Sequence, residues 1–278
     1  KTGKIFSLIF KFGNQFVLYD PSAHERAEAK QDSRWLALLR DALENNRFVL
    51  FHQQVIALMG KETFFSELLL RMEGAQGIVL PKTFLAVAER HGLMPHVDRW
   101  VLREAMLQLS APDSDSQCFM VKISTSSLLD PELAPWLISQ LKQHPFDPRR
   151  LVLEMREDSV MAHLKPAKQF AGIVKTTGCR IALERFGVGL NSFQILDHVD
   201  ADFLKLDRTF STDLPRNVEN QQYIRDICQR ARDLHKETIA EWVEDVASVS
   251  LLFSFSTSYV QGNSQHEPER LPATKRTT

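Results

Sequence analysis

Cysteine is scarce. The three present, Cys118, Cys179 and Cys228, are far apart and odd in number. They support neither a disulfide framework nor a paired-cysteine zinc site, and they suit a reducing, cytoplasmic setting. No apolar run approaches the roughly 18 to 20 residues of a membrane helix. The stretch Ile5-Phe6-Ser7-Leu8-Ile9-Phe10 is too short for a signal peptide, so membrane insertion is not expected. Neither sign of charge dominates: 34 Lys and Arg stand against 35 Asp and Glu, a formal charge of −1. No basic field therefore points to DNA. No glycine-rich phosphate loop follows the first strand-like run, which counts against a doubly wound nucleotide-binding sheet. An initiator Met is missing as well, and the chain is expected to be a piece of a longer protein.

What is present is ordinary globular composition over 278 residues, 44% hydrophobic and 25% charged, enough for one large barrel. Residues 1–22 hold two short β-like runs and are expected to end a preceding domain. Residues 23–45 form a charged linker helix with Trp35, Leu36, Leu39 and Leu43 as its apolar stripe. From 46 to 278 a rhythm sets in. Strand-like runs occur at 48–58, 64–72, 118–124, 151–155, 180–186, 203–207, 238–243 and 259–261, mostly separated by helical patterns. Eight strands alternating with helices predict a (β/α)8 TIM-like barrel. The first two runs are joined only by Met59–Thr63, too short for a crossover helix, so the first strand is expected to run antiparallel.

In Phe64–Met72 the period of two places Glu67, Leu69 and Arg71 on one face and Leu68, Leu70 and Met72 on the other. The second face wants a helix layer. The first carries a carboxylate and a guanidinium that a plain core strand would not choose. Barrel chemistry sits at the C-terminal strand ends. Those ends supply Gln53, Glu67 with Arg71, Lys122 with Ser124, Glu154 with Glu157, Glu184 with Arg185, Lys205 with Asp207, Glu241 with Glu244, and Gln261. Any one of them is explained by a rim salt bridge. Together they must share one mouth and perturb one another.

These residues carry a family resemblance. Phe51-His52-Gln53-Gln54-Val55, Glu67-Leu68-Leu69-Leu70-Arg71, Pro81-Lys82-Thr83-Phe84-Leu85, Ala88-Glu89-Arg90 and Asp98-Arg99-Trp100-Val101-Leu102 resemble successive blocks of the EAL family. Its members include the phosphodiesterases that hydrolyse cyclic di-GMP. The resemblance continues through Leu153–Glu157, Phe186-Gly187, Leu204–Asp207, Ala240–Glu244 and Gln261-Gly262, and it implies a barrel with an antiparallel first strand. It also implies a metal shell of Glu, Asn, Glu and Asp followed by a second Asp, from which this chain departs. Glu67 and Glu154 match. Lys122 stands where the Asn is expected, and Glu184-Arg185 where Asp-Asp is expected. Lys205, Glu241, Glu244 and Gln261 match, whereas Gln54 replaces a usual Pro, Arg156 a usual Thr and Trp242 a usual Gly.

Asn to Lys adds one positive charge and Asp to Arg adds two, where divalent ions would sit. A protonated Lys offers no lone pair, and Arg never does in practice. Like unit charges about 4 Å apart repel by about 4 kcal/mol at an effective dielectric near 20, and a divalent ion doubles that. No bound Mg or Mn and no cofactor is therefore expected, and Glu67, Glu154, Glu184, Lys205 and Glu241 are expected to be vestiges of a catalytic set.

The ligand expected is cyclic di-GMP itself, held by Gln53, Glu67, Leu69, Arg71, Asp98, Lys122, Arg185, Trp242, Glu244, Gln261, Gly262 and Pro268. Arg71, Lys122 or Arg185 would meet its phosphates. Trp242 would stack on a purine, or else pack under a loop. Asp98 would receive guanine donors, or else serve its helix dipole. The Glu184-Arg185-Phe186-Gly187 and Glu241-Trp242-Val243-Glu244 blocks are similar to those of FimX-type cyclic di-GMP receptors of type IV pilus control. That resemblance implies a degenerate GGDEF domain in front and a PilZ-domain or other signalling protein as partner. The alternatives are a weakly active metal-dependent phosphodiesterase, with Glu241 or Glu154 as general base, a glycosidase using those two glutamates, and a protein-interaction scaffold that binds no nucleotide.

Overall fold

The computed structural model describes residues 8–12, 15–19, 21–58, 60, 64–112, 114 and 116–272, with side chains from residue 30 onward. Of the expected run Ile5–Phe10, residues 5–7 lie outside the described residues. So do Gly13 and Asn14, most of the Met59–Thr63 linker and residues 273–278. Strands β1 (Leu8–Phe12) and β2 (Gln15–Tyr19) pair antiparallel as a separate two-stranded sheet. Helix α1 (Pro21–Glu44) follows. Its Leu39 and Ala42 are fully buried, and Asp32 accepts two hydrogen bonds from Arg90 at 3.0 and 2.6 Å.

The barrel strands are β3 (Phe48–Ala57), β4 (Phe64–Gly74), β6 (Gln117–Lys122), β7 (Leu151–Arg156), β8 (Arg180–Phe186), β9 (Phe203–Leu206), β10 (Glu237–Ala240) and β11 (Tyr259–Val260). The run from β4 to β11 is parallel throughout. β3 pairs antiparallel with both β4 and β11, and so closes the cylinder. The expected antiparallel first strand is thus present. Two short strands escaped the sequence reading, β5 (Gly77–Val79) beside β4 and β12 (Glu269–Arg270) beside β3.

Helices wrap the outside with their apolar stripes inward. α3 (Met94–Leu109) buries Val97, Trp100, Val101, Leu102, Ala105, Met106 and Leu109. α7 (Leu164–Thr177) buries Ala167, Phe170, Ala171 and Val174, and ends at Gly178 with φ +87°, the left-handed C-terminal turn that glycine suits. The smaller helices in chain order are α2 (Leu85–Arg90), α4 (Thr125–Leu128), α5 (Leu133–Gln143) and α6 (Glu157–Ala162). α8 (Arg208–Ser211), α9 (Val218–Asp233) and α10 (Val246–Ser254) complete the set. Between β8 and β9 the connection holds a 3-10 segment, Ser192–Asp197, rather than an α-helix. None of the helices among the described residues is long and apolar enough to cross a membrane.

Two strands stop earlier than their hydrophobic runs suggest. β6 ends at Lys122 because the Ser124 side chain caps α4, accepting from Ser127 N. β10 ends at Ala240 because Trp242, at φ +59°, leaves the extended region.

Inside the cylinder the pleat stacks two layers. Val55, Phe65, Cys118, Met120, Val152, Ala182, Phe203, Ile239 and Tyr259 form a buried apolar plug. Two residues further toward the mouth, the same faces present Gln53, Glu67, Lys122, Glu154, Glu184, Lys205, Glu241 and Gln261. The period of two therefore delivers one ionisable or amide group from each strand to a single ring.

Candidate ligand-binding site

Lys205 occupies the floor of this ring with no solvent exposure. Its Nζ lies 2.7 Å from Glu67 Oε2, 2.7 Å from Glu154 Oε1 and 3.1 Å from Glu241 Oε1. Gln261 Nε2 donates to the same Glu67 oxygen at 2.8 Å and to Gln53 Oε1 at 3.1 Å. Gln53 Nε2 in turn donates to Asn263 Oδ1 and to the His266 carbonyl, both at 3.0 Å. Above Lys205 stands Lys122. Its side chain is 47% exposed, but its Nζ lies 2.8 Å from Glu67 Oε1 and 3.6 Å from Glu154 Oε2, and it pairs closely with Glu184.

Four carboxyl groups thus surround two ammonium groups, and their titration reflects that crowding. Burial pulls the lysines down, yet the facing carboxylates outweigh it and hold both well above the ordinary lysine value. Burial likewise raises Glu67, but Lys122 and Lys205 override it and keep this carboxyl below its usual range. Glu154 goes the other way: burial, reinforced by the neighbouring Glu67, pushes it up to about 8 against the pull of Lys205. Burial raises Glu241 too. Two lysines can hold only so many buried anions, and Glu154 is left carrying a proton near neutrality.

Oxygens of Glu67, Glu154 and Glu184 lie within 4.8 Å of one another, a spacing that a divalent ion bridges. The Lys122 ammonium already stands among these same three groups. An ion would have to displace it or share the carboxylates with a cation a few ångströms away.

A cavity of about 400 Å3 opens over the ring, lined by Gln53, Glu67, Leu69, Arg71, Lys122, Glu241, Trp242, Glu244, Gln261, Gly262, Asn263 and Pro268. Ten of the twelve residues picked from the sequence as ligand contacts are brought together here. Among the described residues Arg71 has no carboxylate partner: Nη1 donates to the Leu70 carbonyl at 2.8 Å and the guanidinium lies 5.6 Å from the centre of the Phe51 ring. Gly262 admits no side chain, since a Cβ there would lie 1.9 Å from the Val243 carbonyl oxygen. Trp242 is 55% exposed on the rim.

Three placements differ from expectation. Asp98 is buried on α3, away from the cavity lining, where Oδ2 accepts the Ser124 backbone N–H at 2.8 Å. Its carboxylate anchors the start of α4. Arg185, in the left-handed region at φ +57°, turns out of the ring and donates Nε to Asp207 Oδ2 at 3.1 Å. It lines a neighbouring cavity of about 500 Å3 with Glu157, Val188 and Leu190. Lys122 Nζ is already engaged by Glu67 and Glu184, with Glu154 beside it, which leaves Arg71 as the better-placed cation for an anionic ligand. Neither Asn263, which lines the cavity, nor Arg208, which lies beside Trp242, was picked from the sequence. Asn263 belongs to a conspicuously polar loop, whereas nothing in the spacing singles out Arg208, whose guanidinium lies 5.6 Å from the centre of the Trp242 ring.

A closed α/β barrel with one antiparallel strand and an acidic ring at its C-terminal mouth defines a narrow class. Within it the EAL domain model matches residues 37–268, and the chain belongs to that family, the EAL domains of the cyclic di-GMP phosphodiesterases. The FimX EAL domain of Xanthomonas citri, in complex with cyclic di-GMP, is 36% identical with a TM-score of 0.83, over 88% of this chain and 97% of that one. The FimX EAL domain of Pseudomonas aeruginosa, bound to cyclic di-GMP, is 34% identical with a TM-score of 0.81, over 84% and 96%. Among curated proteins, the cyclic di-GMP phosphodiesterase PdeF of Escherichia coli K12 is 29% identical over 248 residues, which is 88% of this chain and 33% of PdeF. The chain thus spans about a third of the length of that relative.

Proposed function

We propose that this domain is a cyclic di-GMP receptor that binds the nucleotide without hydrolysing it and relays its presence to a protein partner in the cytoplasm. The observation that carries the reading is the Lys122 ammonium among Glu67, Glu154 and Glu184. Two-metal hydrolysis needs ions that activate water and clamp the leaving oxygen, and here an internal cation takes up the carboxylates those ions would use. The residues present do not fit a divalent pair, and no catalytic step is assigned to one. The cavity keeps what a ligand needs: Arg71 for a phosphate, Trp242 and Leu69 as surfaces for a base, and Gln53, Glu244 and Gln261 as polar contacts. The likeness to two FimX domains, both solved with cyclic di-GMP, supports the ligand. The resemblance of the Glu184–Gly187 and Glu241–Glu244 blocks to FimX-type receptors extends the proposal to pilus, motility or biofilm control, with a GGDEF-like domain in front and a PilZ-domain or other signalling protein as the partner.

A second reading, a weakly active phosphodiesterase, is favoured by the 4.8 Å glutamate cluster if Lys122 can swing aside. One experiment separates the two. Calorimetric titration with cyclic di-GMP in EDTA is expected to show binding, and incubation of the same protein with Mg or Mn is expected to yield no linear pGpG. Metal-dependent appearance of pGpG overturns the receptor reading in favour of the enzyme. Absence of binding in every condition overturns both.

A further inference from the structure

Trp242 is held in an unusual way. Its backbone is left-handed, at φ +59°, and the next residue is tied down by Val243 N donating to the Gln261 carbonyl at 3.0 Å. The indole itself is more than half exposed. A ring so placed would sample several rotamers, and ordering it on ligand binding would cost affinity. Across from it sits Arg208, the first residue of α8. Its backbone is fixed by the preceding Asp207, whose Oδ1 accepts from Thr209 N at 3.0 Å and from Thr209 Oγ1 at 2.8 Å. Arg208 has no ion pair among the described residues, and its guanidinium lies over the indole, 5.6 Å from the ring centre. Trp242 lines the mouth cavity and Arg208 does not. The guanidinium thus contacts the indole without itself lining the cavity.

We propose that Arg208 is a positioning residue of the mouth: its guanidinium holds the Trp242 indole as a fixed wall on which a purine stacks from the cavity side. The proposal rests on the reading of the mouth as a cyclic di-GMP site. Arg208 acts through Trp242, by preorganising the ring, and not by touching the nucleotide.

The test is a double-mutant cycle on the whole chain. Dissociation constants for cyclic di-GMP in EDTA are measured for the parent, Arg208→Ala, Arg208→Lys, Trp242→Ala and the Arg208→Ala/Trp242→Ala double variant. Circular dichroism and thermal melting confirm that each is folded. Arg208→Ala is expected to weaken binding by about fivefold, the change a cation–π contact at a part-exposed site supports. Arg208→Lys, which keeps the cation, restores most of it, and Arg208→Ala adds nothing once Trp242 is gone. The anisotropy of Trp242 fluorescence, taken by difference from Trp242→Phe, is expected to fall in nucleotide-free Arg208→Ala. A parent that binds while Arg208→Ala binds equally well overturns the proposal alone. So does an Arg208→Ala loss of equal size in the Trp242→Ala background, which means that Arg208 meets the ligand itself. A parent that binds no nucleotide overturns the receptor reading and this proposal with it.

Discussion

Lys205 Nζ lies 2.7 Å from Glu154 Oε1, and neither side chain reaches solvent. Lys205 is shared with Glu67 and Glu241, so it cannot hold Glu154 fully ionised. Burial pushes that carboxyl up to about 8 from an ordinary value of 4.5. Below the ordinary value, folded and unfolded chains both keep the proton. Between the two values the unfolded chain loses it while the folded chain retains it. Stability should therefore fall as pH rises through this window, by on the order of 1 kcal/mol per pH unit, and level off above it. Glu67, held low by the same lysines, acts with the opposite sign and only on the acid side. Glu154→Gln keeps an acceptor for Lys205 without a titrating proton, and is expected to flatten the slope in denaturant unfolding measured between about pH 5 and 8. A slope unchanged in Glu154→Gln would place the buried proton elsewhere.

The converse substitution removes the cation. Lys205→Met leaves Glu67, Glu154 and Glu241 around an apolar side chain, with the Glu67 carboxylate uncompensated from below. Breaking a buried pair by deleting one partner costs about 3–5 kcal/mol. For a domain of this size that lowers Tm by on the order of 10 °C. Glu154 already carries its proton near neutrality, so adding Glu154→Gln to Lys205→Met should change that loss little. A Lys205→Met protein melting within about 2 °C of the parent would mean that Lys122 alone holds the cluster.

The barrel and most of its mouth were legible in the sequence because a parallel strand buried on both faces leaves a plain record. An apolar run is interrupted by one out-of-place charge, and Glu67, Lys122, Glu154, Glu184 and Lys205 all declare themselves in this way. Side-chain direction was less legible. Arg185 adjoins Glu184 in sequence, but its left-handed backbone sends it to Asp207, and no periodicity announces a positive φ. Asp98 was expected to receive guanine donors because its Asp98–Leu102 block resembles that of the family, whereas here it accepts the Ser124 N–H across a long stretch of chain. Lys122 was picked as a phosphate contact because its charge was counted without its neighbours. Three glutamates from three other strands already meet that ammonium, and only the folded ring shows how the charges cancel.

Trp242 separates stability from binding. At φ +59° any residue with a Cβ is strained, and glycine is not. Trp242→Gly and Trp242→Ala both lose the indole, so the difference between them isolates the backbone. Trp242→Gly is expected to be the more stable by about 1 kcal/mol. Both should bind cyclic di-GMP more weakly by the stacking contribution, about 1–3 kcal/mol per base. Thermal melts paired with calorimetric titrations of the two variants check both signs. If the alanine variant proves the more stable, the left-handed turn is not a source of strain. If both variants keep parental affinity, Trp242 merely packs against its loop.

The position of Lys122 yields the sharpest prediction. Its ammonium contacts the three glutamates whose oxygens already lie within 4.8 Å of one another. Lys122→Asn removes the internal cation, restores a neutral oxygen donor at that point and leaves an anionic pocket suited to a hard divalent ion. Manganese should then bind and stabilise the folded state. At a hundredfold excess over the dissociation constant the gain is about 2.7 kcal/mol, which is several degrees in Tm. The parent, with its ammonium in place, should show no comparable shift. Melting both proteins with and without manganese, with EDTA as the reversal, makes the comparison without any assay of activity. Equal stabilisation of parent and variant would show that Lys122 yields to the metal, and the domain would then have to be reconsidered as an enzyme.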